Sequence, residues 1–281
     1  ADGRFVRTLA LADRSSIGGD DVILGGAGDD DAFGGLGDDR MHGGGGQDYL
    51  EGNQGGDIID GSSGDDDIVG GTSPIGVGGD EHAAGSTPDG ADVIHGRAGD
   101  EPAQIPPSGL AIGVDAILDA DGLSLVVRVR YGPIPEPAAG TEPDGDVVAA
   151  DNARIDRCRP GGFLVREWKG RSACTWSTSE IAFYGPTTSR WVQLLGQPLL
   201  GLGVLDELLP DNHSGRDIVF GDDGDDLLLG QGGFDTMHGG AGDDVLYGGI
   251  GLFNKLYGDG GGVDVVITPP DLSLLAPLGV V

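Results

Sequence analysis

Residues 25–69 read GGAGDDDAF, GGLGDDRMH, GGGGQDYLE, GNQGGDIID and GSSGDDDIV, nonamers that start at Gly25, Gly34, Gly43, Gly52 and Gly61 without a slip. The nonamer before them, Ser16 to Leu24, keeps Gly19, Asp21 and Ile23. After Gly70 the register breaks, and a partial copy returns around Gly90, Asp92 and Ile94. The pattern resumes with Gly215, Asp217 and Val219, then runs as GDDGDDLLL, GQGGFDTMH and GGAGDDVLY from Gly221, Gly230 and Gly239. A slipped copy ends near Asp264. Position 8 holds Ile23, Ala32, Met41, Leu50, Ile59 and Ile68, and later Val219, Leu228, Met237 and Leu246. One inward apolar residue per nonamer suits a three-residue strand whose neighbours face out. The remaining six residues must reverse the chain, and glycine supplies the positive φ that a tight reversal needs. Two nonamers then complete one coil, and stacked coils make a flattened parallel β-roll. A flexible Gly/Asp linker is the alternative, but a linker has no reason to keep Asp at position 6 and an apolar residue at position 8.

The nonapeptide GGxGxDxUx is the mark of the RTX, or hemolysin-type, calcium-binding repeats, which this chain resembles over residues 16–100 and 212–266. The resemblance implies Ca²⁺ as the cofactor, and the residues supply a physical reason. Strands this short do not hold themselves together. A calcium ion collects about six to eight oxygen ligands from carboxylates and backbone carbonyls. Position 6 is Asp21, Asp30, Asp39, Asp48, Asp57 and Asp66 in the first block, Asp92 in the partial copy, and Asp217, Asp226, Asp235 and Asp244 in the second. Consecutive turns fall on opposite edges of the roll, so stacked partners lie two nonamers apart. The expected metal sites are Asp21/Asp39, Asp39/Asp57, Asp30/Asp48, Asp48/Asp66, Asp217/Asp235 and Asp226/Asp244, about six ions completed by carbonyls of the Gly turns. Position 5 (Asp20, Asp29, Asp38, Asp65, Asp225, Asp243) reads as solvated charge rather than ligand. His42, His95 and His238 fall at position 9, which is expected to face solvent.

Composition agrees with this reading. Glycine accounts for 57 of 281 residues, which argues against long helices because each interior glycine costs about 1 kcal/mol relative to alanine. The formal charge of −31 repels nucleic acid and anionic membrane and opposes compaction unless a bound cation cancels it. No stretch of about 18 apolar residues offers a membrane span, so no membrane insertion is expected. Residue 1 is Ala and no signal peptide is visible, which reads as a processed product or a piece of a longer protein.

The organisation read from these patterns is all-β. An N-terminal repeat block (1–101) is followed by an inserted globular β domain (102–210), a C-terminal repeat block (211–268) and an apolar tail (269–281). The insert holds all three tryptophans, both cysteines and 9 of the 16 basic residues. Alternation of Leu123, Leu125, Val127, Val129 and Tyr131 with Ser124, Val126, Arg128 and Arg130 predicts a half-buried strand. Phe163–Trp168, Ala173–Thr178, Ile181–Tyr184 and Trp191–Leu195 are further strand candidates. Together they predict a β-sandwich-like or β-meander domain packed on the roll, with the two blocks joined into one roll in preference to two. Cys158 and Cys174 form a disulfide in an oxidising compartment, or else two buried thiols. Arg154, Arg157, Arg159, Arg166 and Arg171 gather near Trp168 and Trp176, where pairing with local acids is the expected role.

Catalytic signatures are missing from the sequence: there is no HExxH and no GxSxG, and neither Lys169 nor Lys255 lies in a phosphate loop. The expectation is therefore a non-enzymatic, secreted, calcium-folded protein, structural or adhesive at a cell surface and open to self-association. The alternatives are a folding and secretion module of a larger enzyme or toxin, or a carbohydrate-binding protein acting through residues 102–209.

Overall fold

The computed structural model describes residues 18–75, 84, 88–97, 110–118, 125–132, 145–159, 163–168, 171–174, 181–184, 189–195, 215–249, 254–260 and 263–267. Two parallel seven-stranded sheets form the roll. The first contains β1 (Val22–Ala27), β3 (Arg40–Gly45), β5 (Ile58–Ser63), β7 (Val93–His95), β16 (Ile218–Asp223), β18 (Thr236–Ala241) and β20 (Lys255–Asp259). The second contains β2 (Asp31–Leu36), β4 (Tyr49–Gln54), β6 (Asp67–Val69), β10 (Val147–Ala149), β17 (Leu227–Leu229), β19 (Val245–Tyr247) and β21 (Val265–Ile267). The chain alternates between sheets, so each coil adds one strand to each.

Register follows the nonamers: Met41 pairs with Ile59 and Leu50 with Ile68. The position-8 side chains form a single file between the sheets, in which Met41, Leu50, Ile59, Ile68, Val219, Leu228, Met237 and Leu246 are at most 1% exposed. Burying each such side chain contributes about 1.5–3 kcal/mol, and the file is one residue wide, so no coil has a core of its own. The turns explain the glycines. Positions 2 and 4 take positive φ, as at Gly35 (110°) and Gly37 (122°). Where position 2 is not glycine, Asn53, Ser62, Arg97, Asp222, Gln231 and Asp259 accept the same left-handed conformation.

The two repeat blocks form one continuous roll. Strand β7 pairs with β5 on one side and β16 on the other, and β10 bridges β6 and β17. Val147–Ala149, which the sequence reading placed in the insert, is thus a roll strand.

Strands β11 (Ala153–Arg159), β12 (Phe163–Trp168), β13 (Arg171–Ala173), β14 (Ile181–Tyr184) and β15 (Ser189–Leu194) form one antiparallel sheet, ordered β13-β12-β11-β15-β14. It packs on the outer face of the second roll sheet. Ala153, Ile155, Leu164 and Val192 share a core with Val69, Val147, Ala149, Leu227 and Leu229. A disulfide joins Cys158 to Cys174 with Cα atoms 6.1 Å apart. This covered face means that position 9 does not uniformly see solvent: Glu51, Val69 and Leu229 there are fully buried.

The other face departs from expectation too. His95 is only 6% exposed and stacks on Phe220, with ring centroids 4.5 Å apart. His238 continues the stack between Phe220 and Tyr257.

Arginines secure the insert sheet at the N-terminal end of the covered face, where position 7 is acidic. Asp67, fully buried, accepts hydrogen bonds from Arg157 (2.8 and 2.9 Å), Arg166 (2.9 Å) and Arg190 (3.1 Å). Burial alone would raise its pKa, but the three guanidinium groups hold its carboxyl well below the usual range. Arg166 also reaches Asp31, and Arg154 pairs with Asp156 at 3.2 Å.

Residues 99–141 form a separate unit in which β8 (Leu110–Leu118) and β9 (Leu125–Gly132) make an antiparallel hairpin. Residues 175–178 of one predicted strand and the tail 269–281 lie outside the described residues. Among the described residues, no helix is long and apolar enough to cross a membrane.

Candidate metal centres

Each turn of the roll ends on the position-6 aspartate, and these residues stack into two ladders, one along each edge. On the first edge, Asp39 Oδ1 accepts the backbone N–H of Asp21 (2.7 Å), Asp57 that of Asp39 (2.8 Å) and Asp92 that of Asp57 (2.7 Å). Asp217 then accepts from Asp92 (2.9 Å), and Asp235 from Asp217 (3.2 Å). On the second edge, Asp48 accepts from Asp30 and Asp66 from Asp48, both at 2.8 Å. Asp146 accepts from Asp66 (2.7 Å), Asp226 from Asp146 (2.8 Å) and Asp244 from Asp226 (3.1 Å). The structure thus joins all six predicted pairs and places Asp92 as a rung between the blocks. Asp21 stands exposed at the start of its ladder.

Sequence reasoning missed three rungs. Asp146 immediately precedes β10, and its signal was the half-nonamer Gly145-Asp146-Val147-Val148-Ala149, isolated between excursions. Asn254 and Asp264 close the two ladders, accepting from Asp235 (3.0 Å) and Asp244 (3.4 Å). The slipped spacing of the last copy concealed them.

Only one oxygen of each carboxylate is used in this way. The Oδ2 atoms of Asp30, Asp39, Asp48, Asp57, Asp66, Asp92, Asp146, Asp217, Asp226 and Asp244 are buried without any hydrogen-bond partner. An unpartnered buried polar atom costs about 1–3 kcal/mol, and more when charged. A native fold that repeats this arrangement at every turn therefore requires a ligand. The position-1 glycine shows where that ligand sits. A Cβ on Gly34 would meet Asp39 Oδ2 and the carbonyl oxygen of Gly52. Gly43 faces Asp48 Oδ2 and the Gly61 carbonyl in the same way, and Gly221 faces Asp226 Oδ2 and the Gly239 carbonyl. Carboxylate and carbonyl oxygens converging on an open point are the donor set of a hard cation. Among the described residues no point gathers three acidic or histidine side chains, so backbone carbonyls would supply most of each shell.

Electrostatics point the same way. Burial pushes Asp57 up to about 7 and Asp48 and Asp244 to about 6, with neighbouring carboxylates adding to the rise. Asp66, Asp146 and Asp226 are driven well above the carboxylate range by burial and by the next rung. Without a cation the ladders cannot all be ionised at neutral pH, whereas a divalent ion between rungs removes both penalties.

Position 5 forms a third kind of rung. Asp20, Asp29, Asp38 and Asp225 accept the backbone N–H of the residue 18 further on, at 2.8–3.1 Å and in exposed positions. Asp65 is the exception, buried beneath Arg157, which donates to its carbonyl.

The family model for the RTX calcium-binding nonapeptide repeat matches residues 17–50, 42–72, 75–101, 213–237 and 220–251. No curated protein matches the chain.

Proposed function

Because the chain carries RTX calcium-binding nonapeptide repeats, we propose that it is a secreted, non-catalytic protein whose roll assembles on Ca²⁺ outside the cell and serves as a structural or adhesive surface component. The observation that carries this reading is the row of buried, unpartnered Oδ2 atoms. Ca²⁺, when bound, supplies positive charge and oxygen coordination along both edges. The chain contributes the rest: Oδ1 fixes each carboxylate to the coil below, and the position-1 glycine leaves the space open.

Two further features support the location. Extracellular calcium modules bind with Kd of roughly 10⁻⁴–10⁻³ M, a range useful where the ion is millimolar. The Cys158–Cys174 bond belongs to an oxidising compartment. At tenfold excess each site adds about 1.4 kcal/mol, so about six sites contribute on the order of 8 kcal/mol, comparable with a domain's net stability.

The test is a Ca²⁺ titration of EGTA-treated protein followed by circular dichroism and light scattering. Cooperative gain of β signal near millimolar Ca²⁺ together with growing particles is the expected result. Folding without particle growth leaves the calcium reading in place and removes the assembly role. A folded chain indifferent to EGTA overturns both.

A further inference from the structure

The first-edge ladder has one rung unlike the others. The chain departs twice from this edge, after Thr72–Ile75 between coils three and four and after Asn152 between coils four and five, and it returns at Asp89 and Gly215. In the other regular turns of this edge the side chain at position 3 is not acidic: Leu36, Gln54 and Gly232 occupy it. Here the two equivalent places hold Asp89 and Asn152, which are 7% and 1% exposed.

Both turn their oxygens to one point. A Cβ on Gly71 would meet Asp89 Oδ2 first, then Asn152 Oδ1 at 2.6 Å and the Asn152 backbone nitrogen at 2.8 Å. Elsewhere along the roll the position-2 glycines Gly26 and Gly35 face nothing, while Gly44, Gly240 and Gly249 meet only backbone of the preceding coil. Asp89 Oδ2 has no hydrogen-bond partner, although Oδ1 accepts the N–H of Gly90 at 2.9 Å.

The orientation of the neighbouring oxygens is fixed. Asn152 Oδ1 accepts the N–H of Thr72 at 2.6 Å, so the amide presents its oxygen and not its nitrogen. Asp151 accepts from Gly215 (3.0 Å) and Gly232 (2.9 Å), adding a buried negative charge beside the pair. The regular rung is present as well: over Gly70, Asp92 Oδ2 converges with the Ala150 carbonyl. Two oxygen-lined points therefore lie over consecutive glycines, and only the one over Gly70 belongs to the repeat.

We propose that Asp89 Oδ2 and Asn152 Oδ1 hold an additional hard divalent cation, Ca²⁺, over Gly71, outside the nonapeptide pattern, which fastens the two repeat blocks where the chain leaves and re-enters the roll. The inference rests on the calcium-loaded roll proposed above. Asp89, Asp92, Asp151 and Asp217 place four buried carboxylates at this joint. The negative charge of Asp92, Asp151 and Asp217 around the Asp89–Asn152 pair makes the extra site bind more tightly than an isolated repeat site, because a bound cation relieves the mutual repulsion of these buried carboxylates.

The experiment counts Ca²⁺ bound per full-length chain by atomic emission after equilibrium dialysis, with calorimetry for affinity, on the wild type, Asp89→Asn and the exposed position-5 control Asp38→Asn. The expected result is one ion fewer and loss of the tightest phase in Asp89→Asn, with β signal retained at saturating Ca²⁺ and no change in Asp38→Asn. Asn152→Asp keeps the acceptor for Thr72 and adds a charge, so it should tighten one site by about tenfold or more; it decides the matter if Asp89→Asn does not fold. An unchanged count in Asp89→Asn, or unchanged affinity in Asn152→Asp, overturns the extra site and leaves the repeat sites standing. A wild type that binds no Ca²⁺ overturns the reading of the repeats themselves.

Discussion

Replacing Asp57 by Asn should reverse its effect on stability according to whether Ca²⁺ is present. Asp57 is fully buried, its Oδ1 accepts the N–H of Asp39 at 2.8 Å, and its Oδ2 has no partner. Asparagine keeps an oxygen for Asp39 and turns an amide N–H₂ toward the Gly70 carbonyl, which a Cβ on Gly52 would also meet. In the calcium-free roll the Asp57 carboxyl is raised from 3.8 to about 7. A carboxyl raised on folding contributes its full stability below its unfolded pKa, and that contribution declines as pH rises and is lost above about 7. At pH 8, removing the charge should therefore stabilise the calcium-free fold by an amount on the order of 4 kcal/mol, from about three pKa units at about 1.4 kcal/mol each. In Ca²⁺ at tenfold excess the same substitution deletes a ligand and should cost about 1.4 kcal/mol or more. Circular dichroism of both proteins at pH 8, in EGTA and in millimolar Ca²⁺, reads both signs. More residual β signal than wild type in EGTA, with a lower Tm in Ca²⁺, is expected. Equal destabilisation in both conditions would show that Asp57 is only a hydrogen-bond acceptor, and the cation argument would fail.

Protons should compete with Ca²⁺ at the same oxygens. With Asp48 and Asp244 near 6 and Asp57 near 7, half-saturating Ca²⁺ should rise at least about tenfold from pH 8 to pH 5.5, while the calcium-free β signal increases over the same interval; parallel CD titrations measure both. Ile59→Ala leaves a void in the single-file core and should cost about 2–5 kcal/mol, seen as a higher Ca²⁺ midpoint with an unchanged ion count at saturation. Asp67→Ala strands Arg157 and Arg190 in a buried interface and should cost about 3–5 kcal/mol; Trp191 emission should report loosening of the insert sheet at Ca²⁺ concentrations that still hold the roll. Reducing the Cys158–Cys174 bond should remove about 3 kcal/mol from that sheet, and a thermal scan with and without reductant that shows no shift would refute its contribution.

Much of this was legible in the sequence, for a physical reason. Positions 6 and 8 of the nonamer serve one function at every coil, and a period that short survives in a single chain. The pairing of Asp30 with Asp48 follows from coil length alone. Asp146 was hidden because one half-nonamer carries no period. Strand β11 was not predicted because Arg154, Asp156 and Arg157 read as surface residues, yet all three are at most 3% exposed. The partner that buries Arg157, Asp67, lies 90 residues away, and only the folded chain brings the two together. Burial of His95 was invisible for the same reason, since its stacking partner Phe220 belongs to the other repeat block.

The spacing of the rungs also sets the order in which the roll can form. Within the regular runs of each block a rung closes a loop of 18 residues, and the rung from Asp57 to Asp92 closes 35. The rung from Asp66 to Asp146 closes 80 and that from Asp92 to Asp217 closes 125. Closing 125 residues instead of 18 costs about 1.7 kcal/mol more in chain entropy, roughly a twentyfold slower search. Each block can thus wind locally and early, and the fourth coil is the late step that couples them. A rapid jump in Ca²⁺ should separate a fast rise in β signal from a slower docking phase. Shortening the excursion between Asp92 and Asp217 should speed only the second.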